Sequence, residues 1–235
     1  MMFSESTEPP RYTRIISCAV VAEELEKLGV AQEGMTVLEF GLHVKPDDLR
    51  EALRAEISRA PEGDILLGYG LCSCAVAGLS NPGGRLIVPR VDDCIALFLG
   101  SRREYLRRLR EEPGTYFLTK GWIEAAGQPF DQYRELVEKY GEVRAGRIVK
   151  AALHNYTRLA FIDTGLYQID EYKTIAREGA DRLGLQFEVI PGSGRLLKML
   201  LADDWGSEFV VAGADEELTM EMFLGMEEDA ATDAD

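Results

Sequence analysis

Four cysteines, Cys18, Cys72, Cys74 and Cys94, stand in the first 94 of 235 residues, and no cysteine follows them. Each trails a short apolar run: Arg14-Ile-Ile-Ser-Cys18, Asp64-Ile-Leu-Leu-Gly-Tyr-Gly-Leu-Cys72, and Arg85-Leu-Ile-Val-Pro-Arg-Val-Asp-Asp-Cys94. Such runs read as buried strands, and the carboxyl ends of parallel strands share one edge where ligands bind. Three thiol positions distant in sequence can therefore meet. His43, one of two histidines, also follows a predicted strand. Thiolates with imidazole suit zinc, and thiolates suit iron–sulfur clusters. The expected metal set is Cys18, His43, Cys72 and Cys94. Cys72 and Cys74 are one residue apart, so no C-x-x-C pair exists. Cysteine also packs as a small buried hydrophobe, and that reading stands beside the metal one.

Other residue groups carry chemistry of different kinds. Asp93 is placed to cap a helix beginning at Cys94, whose dipole lowers a thiol pKa while the two neighbouring aspartates raise it. Cys72 follows a glycine-rich turn and has a similar setting. Either thiol could act as a metal-free nucleophile on a small acid or amide. Arg90 and Asp93 are the expected acid–base pair beside the thiols. Pro191-Gly-Ser-Gly-Arg195 lies between a strand and a helix, so Ser193, Gly194 and Arg195 are candidates to hold an anionic cofactor group. The segment lacks the Gly-Lys-Ser/Thr of a P-loop, and Leu197 occupies the third glycine place of a dinucleotide fingerprint. Lys120, Trp122, Asp163 and Thr164 complete the polar residues near strand ends. The arginines at 102, 103, 107, 108 and 110 alternate with glutamates as a solvated helix face does.

The elements that must position these groups alternate between strand and helix. Strands are expected at 14–20, 36–40, 64–69, 86–89, 115–118, 159–163, 187–190 and 209–212. Helices are expected at 22–28, 46–59, 94–112, across 130–156, at 170–183 and at 193–202. Pro46-Asp47-Asp48 opens the second helix with a fixed proline dihedral and acids that suit its dipole. The fold class is α/β, with Rossmann-like, mostly parallel sheets in two lobes and a cleft between them. The expected division is an N-terminal lobe over 11–120 carrying all cysteines, a helical connector over 121–158, a C-terminal lobe over 159–225 and an acidic tail over 226–235. One continuous sheet is the alternative.

Composition narrows the partners. The net charge of −15 opposes non-specific nucleic-acid binding, which needs a positive surface. No apolar run reaches the roughly 20 residues of a membrane span, and no secretory signal is read at the N-terminus. The thiols are expected to be reduced in a cytoplasm, although a disulfide of Cys94 with Cys72 or Cys74 stays open. The expected partner is a small molecule or metallocofactor, with neither nucleic acid nor membrane; a homo-oligomer stays open.

Several blocks together resemble the domain of unknown function 1638 family. They are Gly41-Leu-His43, Gly68-Tyr-Gly-Leu-Cys72, Pro89-Arg-Val-Asp-Asp-Cys-Ile-Ala-Leu-Phe-Leu-Gly-Ser101, Pro113-Gly-Thr-Tyr-Phe-Leu-Thr-Lys-Gly-Trp122 and Phe161-Ile-Asp-Thr-Gly165. The resemblance runs from about residue 13 to 213. It implies a bacterial or archaeal intracellular protein, with relatives found near corrinoid-dependent methyl-transfer systems. It points to His43, Cys72, Arg90, Asp93 and Cys94. The family pattern carries a histidine in place of Asp92, and Cys74 departs from it. The expected function is a cytoplasmic metalloprotein with an iron–sulfur cluster or zinc, linked to one-carbon or corrinoid methyl-transfer metabolism. A metal-free thiol enzyme and a non-catalytic accessory protein for a methyltransferase system are the alternatives.

Overall fold

A computed structural model describes residues 12–126 and 131–224. The acidic tail, the first residues of the chain and Phe130 lie outside the described residues. Two sheets carry the fold. The first contains β1 (Tyr12–Cys18), β2 (Met35–Leu38), β3 (Asp64–Gly68), β4 (Leu86–Pro89) and, from far along the chain, β8 (Phe209–Ala212). The second contains β5 (Thr115–Leu118), β6 (Arg158–Asp163) and β7 (Gln186–Pro191). Helices α1 (Ala19–Lys27), α2 (Pro46–Arg59), α3 (Cys94–Phe98) and α4 (Arg102–Glu111) accompany the first sheet. Then come α5 (Lys120–Ala126), α6 (Asp131–Tyr140), α7 (Glu142–Ala152), α8 (Asp170–Leu183), α9 (Arg195–Leu201) and α10 (Met220–Leu224). No helix among the described residues is long and apolar enough to cross a membrane.

The first sheet has the order β2-β1-β3-β4-β8, with every pair parallel except β4–β8. Its strand order reverses between β1 and β3, which is where open parallel sheets form a crevice at their carboxyl edge. All four residues of β4 and four of the five in β3 are buried. Both faces of these strands are covered, and this is why they read as unbroken apolar runs. Leu49, Leu53 and Ile57 form the buried stripe of α2 at the helical period.

Three features depart from the sequence expectation. First, the expected lobes exchange strands. β5 joins the second sheet, and β8 returns to the first, pairing Leu86 with Ala212 and Pro89 with Phe209. A four-residue apolar run fits the edge of either sheet, and only long-range packing chooses. Second, the expected helix over 94–112 is two helices. Gly100 takes φ 81°, ending α3, and a Cβ there would lie 2.6 Å from that of Ser193. Ser101 then starts α4, its hydroxyl accepting from the Glu104 N–H at 3.1 Å. Third, the connector divides into α6 and α7 at Gly141, φ 76°.

The sheets share a core. Along β6, Ala160 and Ile162 pack with the buried residues of the first sheet, α3 and α9. Leu159 and Phe161, pointing the other way, pack with Leu118, Ala176 and Ala180. This is the alternation of a strand covered on both faces. Close to this junction α5 abuts α1: a Cβ on Gly121 would lie 2.8 Å from the Val20 carbonyl. Helix α5 therefore reaches across to the carboxyl edge of β1.

Candidate functional site

Three neighbouring strands, β1, β3 and β4, each lead to a thiol. Cys18 is the last residue of β1 and precedes α1 directly. Cys72 lies four residues beyond β3, and Cys94 opens α3 after β4. Hydrogen bonds hold the last two segments side by side: Leu71 N–H donates to the Val91 carbonyl at 2.8 Å and Cys72 N–H to that of Asp92 at 2.9 Å. The approach depends on glycine. A Cβ on Gly70 would stand 2.7 Å from the Val91 carbonyl oxygen, and one on Gly68 would meet the buried Ser17 side chain.

The chain turns sharply at this point. Cys72, Ser73 and Cys74 have φ of 45°, 56° and 67°, so three successive residues with side chains lie in the left-handed region. Each such residue costs about 1–2 kcal/mol, and strain of this kind gathers at functional sites. The turn sends the two nearby thiols apart. Cys72 goes inward, 7% exposed, while Cys74 lies toward α10 with its sulfur 3.7 Å from that of Met220. All four cysteines are free thiols.

Electrostatics couples the inward three. Burial pushes Cys72 up to about 12, with Asp93 and Cys18 adding to the rise. Burial also pushes Cys94 well up, with Asp93, Cys72 and Cys18 adding, while a hydrogen bond from Trp122 opposes the shift. Burial also raises Cys18, partly offset by the Val20 and Val21 N–H groups. The lowering expected from the α3 dipole is thus overridden, because desolvation disfavours thiolate more than the first turn of a short helix favours it. Asp93 accepts from the Ile95 and Ala96 N–H groups at 2.9 and 3.2 Å, and from the Tyr105 hydroxyl at 3.3 Å. Replacing it by asparagine should keep this cap but remove a charge that raises both neighbouring thiols. Asp93→Asn should then alkylate faster than the parent near neutral pH; an unchanged rate-against-pH profile would show the charge has no hold on the thiols.

Aromatic groups wall the site. His43, in the turn Phe40–Val44, stacks between Phe40 at 5.5 Å and Tyr69 at 5.9 Å, and Trp122 meets Phe40 edge-on at 4.9 Å. His43 Nδ1 lies 3.0 Å from the Phe40 carbonyl. A carbonyl only accepts, so Nδ1 carries the proton and Nε2 keeps its lone pair. Burial lowers the pKa of this ring. Tyr69 is 1% exposed, and burial, then Cys18 and Cys72, push its phenol well up. Its hydroxyl is buried without a hydrogen-bond partner among the described residues, while the buried Trp122 indole N–H is directed at the Cys94 thiol.

Other expected site residues go elsewhere. Arg90 turns toward the β8 edge: its N–H donates to the Glu208 carbonyl at 2.8 Å and its Nη2 to that of Phe209 at 3.4 Å. The 193–195 loop binds the protein itself. Ser193 N–H donates to the Phe98 carbonyl at 2.7 Å, and Arg195 donates to the Gly100 carbonyl at 3.2 Å and pairs with Glu208. These bonds join β7 to α3 and use the donors an anion would need. Asp92 pairs with Arg102 at 2.9 Å, while Arg107 and Arg108 pair with Glu104 on their own helix. Among the described residues, no group of three or more His, Cys, Asp and Glu side chains is placed to hold a metal ion. Two surface hollows lie away from the thiols. One is lined by Tyr140, Val143 and Ile148 on α6 and α7, and the other by Tyr12 and Gly29 near the amino end of β1.

A second polar cluster gave no signal in the sequence: α1 carries Glu23, Glu24 and Glu26, and nothing local marks Glu24 as the buried one. Glu24 is 6% exposed, and its Oε1 accepts from the Thr164 hydroxyl at 2.8 Å. Its Oε2 finds no partner among the described residues. Burial raises it to about 7, against the opposing effect of Thr164. Beside it, Lys120 pairs with Glu23 and Glu124 and lies 4.7 Å from the Tyr167 ring centre. These contacts tie α1 of the first sheet to α5 and the loop after β6.

No curated protein and no solved structure matches the chain. A family model described as "Protein of unknown function (DUF1638)" matches residues 37–201. That span holds His43, Tyr69, Cys72, Asp93, Cys94 and Trp122, and the chain belongs to the DUF1638 family.

Proposed function

We propose that this protein is an iron–sulfur protein whose centre is held by Cys18, Cys72 and Cys94. The supporting observation is that three neighbouring parallel strands deliver thiols close enough for Cys18 to raise Cys72 and for both to raise Cys94. As they stand, desolvation and mutual repulsion keep these thiols protonated. A metal centre among them reverses both effects, since a coordinating thiol is deprotonated outright. Among the described residues no group of donors stands gathered to hold a metal ion, so zinc or a cluster alike would have to draw the thiols together on binding. The centre proposed is a multi-iron cluster. When bound, it supplies one-electron transfer. His43 is the companion ligand best prepared by the chain: its Nδ1–H is given to a carbonyl and its Nε2 is free, as ligating histidines are arranged.

The test is metal and sulfide content of the full chain, purified without oxygen or reconstituted with ferrous iron and sulfide. Iron, labile sulfide and broad visible absorption are expected, lost in Cys18→Ala, Cys72→Ala and Cys94→Ala but kept in Cys74→Ala. Sub-stoichiometric iron, or full iron in the three variants, would sink the proposal; stoichiometric zinc would replace it with a zinc site. A metal-free nucleophile has less support. Such a thiol needs to ionise near neutrality, and burial pushes all three the other way.

A further inference from the structure

We infer that Cys74 and Met220 form a binding site for a soft monovalent metal ion, copper(I), separate from the three inner thiols. The site does not depend on the iron–sulfur reading above. The Cys74 Sγ–H donates to the Met220 Sδ at 3.7 Å, across 146 residues of chain. A thioether is a ligand of soft ions, and beside a thiolate it suits copper(I). Given metal–sulfur bonds of about 2.3 Å, as in zinc thiolates, one ion bridges sulfurs 3.7 Å apart at an angle of about 110°. The ion takes the place of the thiol proton, which passes to the buffer. Neither side chain has far to move. The two sulfurs are also fixed to one another. Gly78 N–H donates to the Leu218 carbonyl and Leu218 N–H to that of Leu79, each at 2.8 Å. The segment entering α10 is thereby tied to the loop that follows Cys74. Arg50 of α2 holds the same loop, donating to the Cys74 carbonyl at 2.8 Å and to that of Ala77 at 3.0 Å. A pair held this way loses little freedom on binding. An ion can reach it, since Cys74 is half-buried and Met220 is 41% exposed. The donor set disfavours commoner ions. Zinc and ferrous iron take imidazole, carboxylate and several thiolates, and among the described residues no such group of three gathers here. Copper(I) accepts two sulfurs and leaves a position open for a thiol from solution.

The test adds copper(I) without oxygen to the full chain, its methionine methyl groups labelled with carbon-13. The first equivalent should shift the Met220 methyl signal, which is identified by its absence from Met220→Leu. Competition with a coloured copper(I) chelator should give an affinity about tenfold lower in Met220→Leu, where leucine keeps the volume at an exposed position, and lower again in Cys74→Ser. Met220→Leu keeps all four cysteines, so its loss of affinity separates this pair from the inner thiols. Excess zinc should leave the Met220 signal in place. An unmoved Met220 signal after the first equivalent of copper(I), equal affinity in the parent and Met220→Leu, or a Met220 shift on adding zinc overturns the proposal. A chain that takes up no iron and sulfide yet shows the Met220 shift upholds this site and overturns the iron–sulfur reading alone.

Discussion

Alanine in place of Gly70 should destabilise the chain by about 3 kcal/mol, the upper part of the range for forcing extra atoms into a packed interior. The cause is space. Gly70 does not have a positive φ, so alanine suits its backbone. Its new methyl would lie 2.7 Å from the Val91 carbonyl oxygen and 2.9 Å from the Asp93 nitrogen. Both are backbone atoms of the segment that brings Asp93 and Cys94 beside Cys72, and neither can swing aside. The segment must move away, which stretches the Leu71–Val91 and Cys72–Asp92 hydrogen bonds. Denaturant unfolding should show a lower midpoint, and the thiols should alkylate faster as they part. Gly141→Ala is the useful contrast. A Cβ there meets nothing within 4 Å, but φ is 76°, so its cost is local strain alone. A Gly70→Ala midpoint equal to the parent's would show that the close approach does not exist.

The second large effect is one of pH, at Glu24. Its carboxyl is raised from 4.5 to about 7 in the folded chain, first by burial. Below the unfolded value both states hold the proton and nothing is lost. Between about pH 4.5 and 7 the unfolded chain ionises while the folded chain keeps its proton, so stability falls as pH rises. Above about pH 7 both are ionised and the whole penalty applies, about 3 kcal/mol at roughly 1.4 kcal/mol per pH unit. Glu24→Gln should therefore match the parent near pH 4 and exceed it by up to that amount near pH 8. Thermal unfolding across this range measures it. A constant difference at all pH values would mean that Glu24 does not titrate as its burial requires. The variant is not expected to loosen the sheets, because a glutamine oxygen can still accept from Thr164.

Much of the secondary structure was legible because its causes are local. Buried parallel strands are apolar runs, as in Ile65-Leu-Leu67 and Leu86-Ile-Val88, and α2 carries its proline, acids and leucine stripe in order. Boundaries set by one glycine were missed: Gly100 and Gly141 divide helices whose flanking sequence is helical on both sides. Sheet membership was not legible, since nothing local to Phe209-Val-Val-Ala212 says that its partner is β4, more than 100 residues away.

The candidate site divides along the same line. By itself the sequence determined that thiols follow three apolar strands, because residue type and strand pattern are both written locally. Only the tertiary structure decided that those strands are neighbours, with the order reversing between β1 and β3, since pairing depends on contacts distant along the chain. It also decided direction. Within three residues, a left-handed turn sends Cys72 inward and Cys74 away. Arg195, whose type promised chemistry, spends its hydrogen bonds on Gly100 and Glu208, while Arg90 reaches β8 through Nη2 and leaves its buried Nε without a partner among the described residues. Tyr69 and Trp122 pack like ordinary aromatics, and only the packed structure sets the Tyr69 hydroxyl where no described partner reaches it and the Trp122 N–H at Cys94. Side-chain direction and solvent exclusion are properties of the packed whole, and these turned a row of cysteines into three coupled thiols.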